Sequence, residues 1–169
     1  MKFIPYEKYV LLSKLSTHEI RTRVANSIMQ KKYFPYEWNR KNNTKPYEGE
    51  LSYSGFIINR IIWGANPYLP IIKGVYWESS DCTLIKIEMR LLRYGITMSV
   101  FFFSILLYAF FRVISEGLYA HPKIYILLFA LMVIPYLFMT VTFWTECKKS
   151  KRYLSHLLEG KEAKLDQNK

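Results

Sequence analysis

Apolar and polar positions alternate most cleanly over Thr83 to Arg90, where Ile85, Ile87 and Met89 fall on one side of an extended chain and Lys86, Glu88 and Arg90 on the other. That is a strand with one face in a core and one in water. The same β texture runs back through Pro70 to Trp77, Phe56 to Trp63 and Tyr47 to Tyr53, with turns expected at Ser79-Ser80-Asp81, Gly64-Ala65-Asn66-Pro67 and Ser54-Gly55. Four strands in sequence predict an antiparallel meander. Ahead of them Tyr9 to Leu12 reads as a short strand, and Ser16-Thr17-His18-Glu19 is a capping box that starts a helix. Ile20, Val24 and Ile28 repeat at helical spacing and carry that helix to about Gln30. Lys31 to Pro46 has no period and is expected as a long loop in which Tyr33, Phe34, Tyr36 and Trp38 seek an apolar surface.

In the second half the period disappears because nearly every position is apolar. Tyr94 to Phe111 is uncharged throughout, about 27 Å of helix at ~1.5 Å per residue, and Arg112 can snorkel from its far end. Ile124 to Thr145 is also uncharged and reaches about 33 Å by the same rise, with Pro135 inside as an expected kink. Both are long enough to cross a bilayer. The short connector between them makes them an antiparallel hairpin. Behind the second span, Tyr153, Leu154, Leu157 and Leu158 form an amphipathic stripe. Two placements stay open for it: on the inner leaflet, or closing the core of the β domain. The expected organisation is an α+β domain at 1–93, a hairpin at 94–145 with spans near 94–112 and 124–145, and a basic tail at 146–169.

Charge sets the topology. The chain carries a formal charge of +11, and its basic residues gather at both ends while the spans are nearly bare. Lys86, Arg90 and Arg93 precede the first span, and Lys148, Lys149, Lys151 and Arg152 follow the second. By the positive-inside rule both termini are cytoplasmic, and a bacterial inner membrane is the expected location. Arg90, Arg93, Lys148, Lys149, Lys151 and Arg152 are then candidates for anionic lipid headgroups, at roughly 1 kcal/mol each. Because topology and lipid account for these charges, nucleic acid is not an expected partner. The N-terminus lacks the apolar run of a cleavable signal peptide. Asn42-Asn43-Thr44 matches a glycosylation acceptor but would face the cytosol.

Candidate chemistry is sparse. The sequence has no phosphate-binding glycine loop, no metalloprotease or nucleophile-elbow motif, and its three histidines are scattered at 18, 121 and 156. Arg152 and His156 stand four apart, a spacing that a wet, lipid-facing helix explains better than an Arg/His catalytic pair, which wants a longer one. Cys82 and Cys147 have no ligand spacing around them, so reduced thiols are expected and neither a metal nor a cofactor is implied. Within the spans the short polar groups are Thr97, Ser99, Ser104, Thr140 and Thr142, and Gly95 with Ser99 makes one small-xxx-small pair. Gly95, Ser99, Ser104, Pro135 and Thr140 are therefore the candidates for helix packing or, in an oligomer, for a pore lining. A simpler reading bonds each hydroxyl to its own helix backbone. On the β domain, Asn59 and Arg60 with Asn66 and Tyr68 of the Asn66-Pro67-Tyr68-Leu69-Pro70 connector are the groups that would orient a ligand if the meander holds a pocket. Otherwise Arg60 lies on the solvent face.

The residues Leu15-Ser16-Thr17-His18-Glu19, Tyr47-Glu48-Gly49, Phe56-Ile57-Ile58-Asn59-Arg60, Asn66-Pro67-Tyr68-Leu69-Pro70, Gly74 and Thr83-Leu84-Ile85-Lys86-Ile87 together resemble a group of small, uncharacterised bacterial inner-membrane proteins with a cytosolic β-rich domain and a helical hairpin. The resemblance implies that architecture and no catalytic residue. The order strand, helix, meander also resembles the helix-grip ligand-binding fold with the hairpin inserted before the closing helix. Function is accordingly expected to be non-enzymatic: a membrane-anchored domain that senses a ligand or binds a cytosolic partner, with homo-oligomerisation expected as well. The alternative is an oligomeric, membrane-depolarising effector of the kind found in bacterial defence systems.

Overall fold

A computed structural model describes residues 4–30, 45–62, 66–115 and 122–163. Its elements are β1 (Tyr6–Ser13), α1 (Thr17–Ser27), β2 (Ile28–Gln30), β3 (Tyr47–Leu51), β4 (Gly55–Arg60), β5 (Pro70–Glu78), β6 (Thr83–Leu91), α2 (Arg93–Ser115), α3 (Pro122–Leu157) and β7 (Lys161–Ala163). The expected loop at 31–44, the acceptor at Asn42, the turn residues 63–65, His121 and the tail beyond 163 lie outside the described residues.

The fold is α+β. β3 to β6 form the expected antiparallel meander, but the sheet has seven strands in the order β2-β3-β4-β5-β6-β1-β7. It is mixed rather than a pure meander, because β2 runs parallel to β3, pairing Ile28 with Tyr47. The helix begins as the capping box predicts: the Ser16 hydroxyl accepts from the Glu19 N–H at 3.3 Å and Glu19 accepts from the Ser16 N–H at 2.8 Å. It ends three residues earlier than expected. Ile28 keeps the apolar spacing of Ile20 and Val24, but its backbone is extended (φ −111°, ψ 135°) and its side chain is buried as a strand residue. A buried side chain at i+4 suits either element, so periodicity could not mark the boundary. Lys45 then donates to the carbonyls of Ala25 and Ile28, satisfying the end of the helix.

α1 and α3 cover the same sheet face. Ile20 and Val24 from α1 join Phe143, Cys147, Leu154 and Leu158 over Tyr9, Leu11, Ile58, Ile72, Ile85, Ile87 and Met89, all in one buried core. This settles where the C-terminal stripe goes: it closes the β core. The stripe is also not a separate tail helix. α3 runs unbroken for 36 residues, through Pro135 and from the second apolar span into the core. Nothing between Thr145 and Leu157 stops a helix, and it ends at Leu157 in a turn closed by Glu159, whose φ of 48° is left-handed, with the Gly160 N–H bonded to the Ser155 carbonyl.

The two helices predicted to span are long and apolar enough to do so: α2 over Arg93–Ser115, and α3 within Phe129–Leu157. α2 is no core helix of a soluble domain, since Phe101, Tyr108 and Phe111 are each 60% exposed or more and Gly95 is its sole buried residue. β6 passes into α2 through Leu92 alone, so the hairpin leaves from the sheet end that carries Arg60, Pro70 and Leu91.

Candidate functional site

At that end of the sheet, three segments converge on α3. Arg60 follows Phe56 and Ile58 on the covered face of β4, so it points at α3 rather than at solvent. Its Nη1 donates to Glu146 Oε2 at 2.5 Å, and Lys149 Nζ donates to Glu146 Oε1 at 2.8 Å. The Glu146 side chain is only 10% exposed. Burial pushes its carboxyl up, but the hydrogen bonds and charges of Lys149 and Arg60 outweigh that and hold it below the ordinary carboxylate value. Asn59 points to the opposite face and donates to Glu48. Asn59 and Arg60 therefore cannot line one pocket.

The connector packs against the hairpin. Asn66 Oδ1 accepts the Tyr68 N–H at 2.9 Å, closing an Asx turn. The Tyr68 ring meets Phe138 edge-on at 6.4 Å. Gly95 of α2 lies under the Pro67 carbonyl so closely that any Cβ there would collide with it. One turn on, Ser99 faces Met139 of α3 at 3.6 Å. The Gly95/Ser99 pair thus has one member on the connector and one on the neighbouring helix.

The span hydroxyls are turned inward to their own backbones. Thr97, Ser99, Ser104, Thr140 and Thr145 each donate to the carbonyl four residues back. Ser104 is exposed on the outer surface of α2, Thr140 is buried at the domain border and Pro135 is half-buried. Of the basic residues considered for lipid, Arg90, Arg93, Lys148, Lys149 and Arg152 are exposed. Lys151 is committed within the domain: it pairs with Glu162 at 2.6 Å and Glu7 at 3.8 Å, and lies 4.6 Å above the Tyr9 ring.

Below the Arg60–Glu146 pair a thin polar layer lies within the apolar contact between α3, α1 and the sheet. The Tyr47 ring packs on Tyr153 at 5.1 Å, and Tyr153 donates to Ser27 of α1 at 3.2 Å. Burial raises the Tyr9 and Tyr47 phenols and pushes the Cys147 thiol up to about 12, so all three stay neutral at physiological pH. No motif signalled this layer. Glu146 alone left a trace, as a carboxylate set between an uncharged span and four cations.

At the far end of the domain, α1 and the ends of the β3–β4 and β5–β6 hairpins enclose an open groove of about 350 Å³ lined by His18, Arg21, Tyr53, Tyr76, Trp77 and Glu78. Thr17 donates to Glu78 at 2.8 Å and the Tyr76 hydroxyl to the Tyr53 carbonyl at 3.2 Å, which fixes its walls. Tyr53 is 88% exposed. Sequence reading missed this site because its residues come from three separate stretches with no shared motif. Among the described residues no group of three or more His, Cys, Asp or Glu is placed to hold a metal. No family model matches the chain, and neither a curated protein nor a solved structure matches it.

Proposed function

We propose that this chain is a two-pass bacterial inner-membrane protein, both termini cytoplasmic, whose sheet domain senses a ligand or binds a partner without chemistry of its own. The observation that carries the reading is α3: one continuous helix contains both an apolar stretch long enough for the second span and a wall of the domain core. A change at the sheet that shifts Phe143, Cys147 or Leu154 acts on the same helix that carries the membrane stretch. The Arg60–Glu146 pair and the seat of Gly95 under Pro67 fix the hairpin to the sheet at two further points. Basic residues on the sheet side of both spans favour a cytoplasmic domain, with Arg90, Arg93, Lys148 and Arg152 free to meet anionic headgroups. The distal groove is the place for the bound species. The Tyr53 ring, exposed at its mouth, with Arg21 and Glu78 for orientation, suits a ring-bearing ligand or an aromatic or cationic side chain of a partner.

Native mass spectrometry of the full chain released from membranes in detergent tests this. A small number of copies with added mass that disappears in Tyr53→Ala is the expected result. A bare, ring-sized oligomer that makes liposomes leak ions, with leak lost in Ser99→Leu or Ser104→Leu, would replace the proposal with the pore-forming alternative.

A further inference from the structure

The sheet face opposite α1 and α3 carries no helix among the described residues, and its composition is not that of a solvated surface. Outside α2 and α3 six large apolar side chains are exposed among the described residues, and alternation along the strands puts four of them, Tyr6, Leu12, Ile57 and Trp77, on this face. Cross-strand register orders β5, β6 and β1 into rows. Farthest from the membrane, Trp77, Leu84 and Leu12 are neighbours, and Lys161 of β7 stands beside Leu12. Val75, Lys86 and Val10 come next, then Lys73, Glu88 and Lys8, while Ile71, Arg90 and Tyr6 lie at the end where α2 begins. The face thus has an apolar end and, below it, a field of cations. Glu88, its one carboxylate on these three strands, is already engaged by Lys86 at 3.7 Å. Lys8, Lys73, Arg90 and Lys161 are exposed and have no ion-pair partner among the described residues.

We infer that this face docks an acidic amphipathic helix of a cytosolic partner protein. The inference rests on the membrane anchoring proposed above. The strands' N–H and C=O groups are spent in the ladders, so the face offers side chains only, and a helix is the element that covers such a surface, as α1 and α3 do on the other side. Three strands about 4.8 Å apart span about 10 Å, the width of one helix, and about eight residues at ~3.3 Å match about five of its turns. Charge decides whose helix it is. The whole chain is at +11, and its stretches 31–44 and 164–169 are each net basic, so neither a second copy nor those stretches complement the field. Lipid reaches only its foot. A helix packed on a sheet lies parallel to the sheet plane, and α3 both packs on the sheet and carries the membrane stretch, so the sheet stands on edge with the Arg90 row nearest the headgroups. Leu12, Leu84 and Trp77 offer contacts that a phosphodiester backbone does not use, which favours protein over nucleic acid. Apolar residues at one end of the partner helix then meet Trp77, Leu84 and Leu12, and carboxylates along the rest meet Lys86, Lys73 and Lys8.

The test uses the full chain in nanodiscs of phosphatidylcholine, which has no net charge, and a dye-labelled helical peptide of about 18 residues with leucines at one end of a stripe and glutamates along the remainder. Fluorescence anisotropy should show saturable binding, weakened about tenfold when the same residues are scrambled. Lys8→Glu combined with Lys73→Glu should weaken it about tenfold too, and a peptide with lysine in place of each glutamate should then bind the variant better than wild type, which a misfolded variant would not do. Zero-length carbodiimide coupling should join the acidic peptide to Lys8, Lys73 or Lys86 in preference to Lys148 and Lys149. Equal binding of the scrambled peptide, indifference to the double reversal, coupling centred on Lys148 and Lys149, or tighter binding of single-stranded DNA of the same charge each overturns the inference. Failure of anchoring is separately visible, as release of the chain from membranes by alkaline carbonate.

Discussion

Glu146 is the residue on which the join between hairpin and sheet depends, because it is nearly buried and both of its oxygens are taken by cations from different elements. A buried carboxylate without those partners would bear most of its desolvation cost, so removing one partner harms more than the pair itself contributes. Arg60→Ala should lower the unfolding free energy of the domain by about 1–3 kcal/mol at pH 7, discounted from a fully buried pair because Arg60 is 31% exposed. Chemical denaturation in detergent measures this. The pH dependence follows from the depressed carboxyl. A folded value below the unfolded one of about 4.3 means that the ionised group stabilises the fold above that pH, and that the contribution is lost as pH falls through the folded value. Wild type and Glu146→Gln should therefore differ at pH 7 and converge only as pH falls through the depressed folded value, below the ordinary carboxylate range. A constant difference across that range would remove Glu146 from the account.

At the scale of elements, α3 combines two amphipathic regimes in one helix: apolar all round in the span, then one stripe of Phe143, Cys147, Ser150, Leu154 and Leu158 against the sheet. The stripe sets the phase. One residue inserted after Lys148 turns everything beyond it by about 100°, whereas four inserted residues return within about 40° of the original face. The one-residue insertion should unfold the domain at markedly lower denaturant than the four-residue insertion, and Leu154→Ala alone should cost about 2–5 kcal/mol. Equal losses from both insertions would mean that phase is irrelevant there. This element also marks how far sequence reading reached. The meander, the capped helix and both spans were legible because each has a clean period, a cap or an unbroken apolar run. The stripe at 153–158 was visible too, but amphipathicity reports that a face is buried and not what buries it. β2 and β7 were invisible, since three residues cannot establish a period and their pairing partners are distant in sequence. The candidate ligand set fared similarly: alternation alone separates Asn59 from Arg60 by a face, while the groove at Tyr53 and Arg21 needed the third dimension.

For the molecule as a whole, the two cysteines report both sidedness and the integrity of the core. Cys82 is half-exposed on the sheet domain, while Cys147 is buried under α3 with its thiol pushed up to about 12. Thiolate is the reacting species, so a group held that high and shut from solvent does not react at neutral pH, whereas Cys82 is open to reagent. A membrane-impermeant maleimide should leave intact spheroplasts unlabelled and add one label per chain in inverted inner-membrane vesicles. A second label should follow only under denaturation. Labelling of Cys82 from the outside would invert the topology that the basic residues at 86–93 and 148–152 imply. Two labels in native vesicles would mean that α3 does not rest on the sheet, and the link between domain and hairpin would fail with it. One label, from the inside, is the outcome that the proposed topology and the burial of Cys147 under α3 together require.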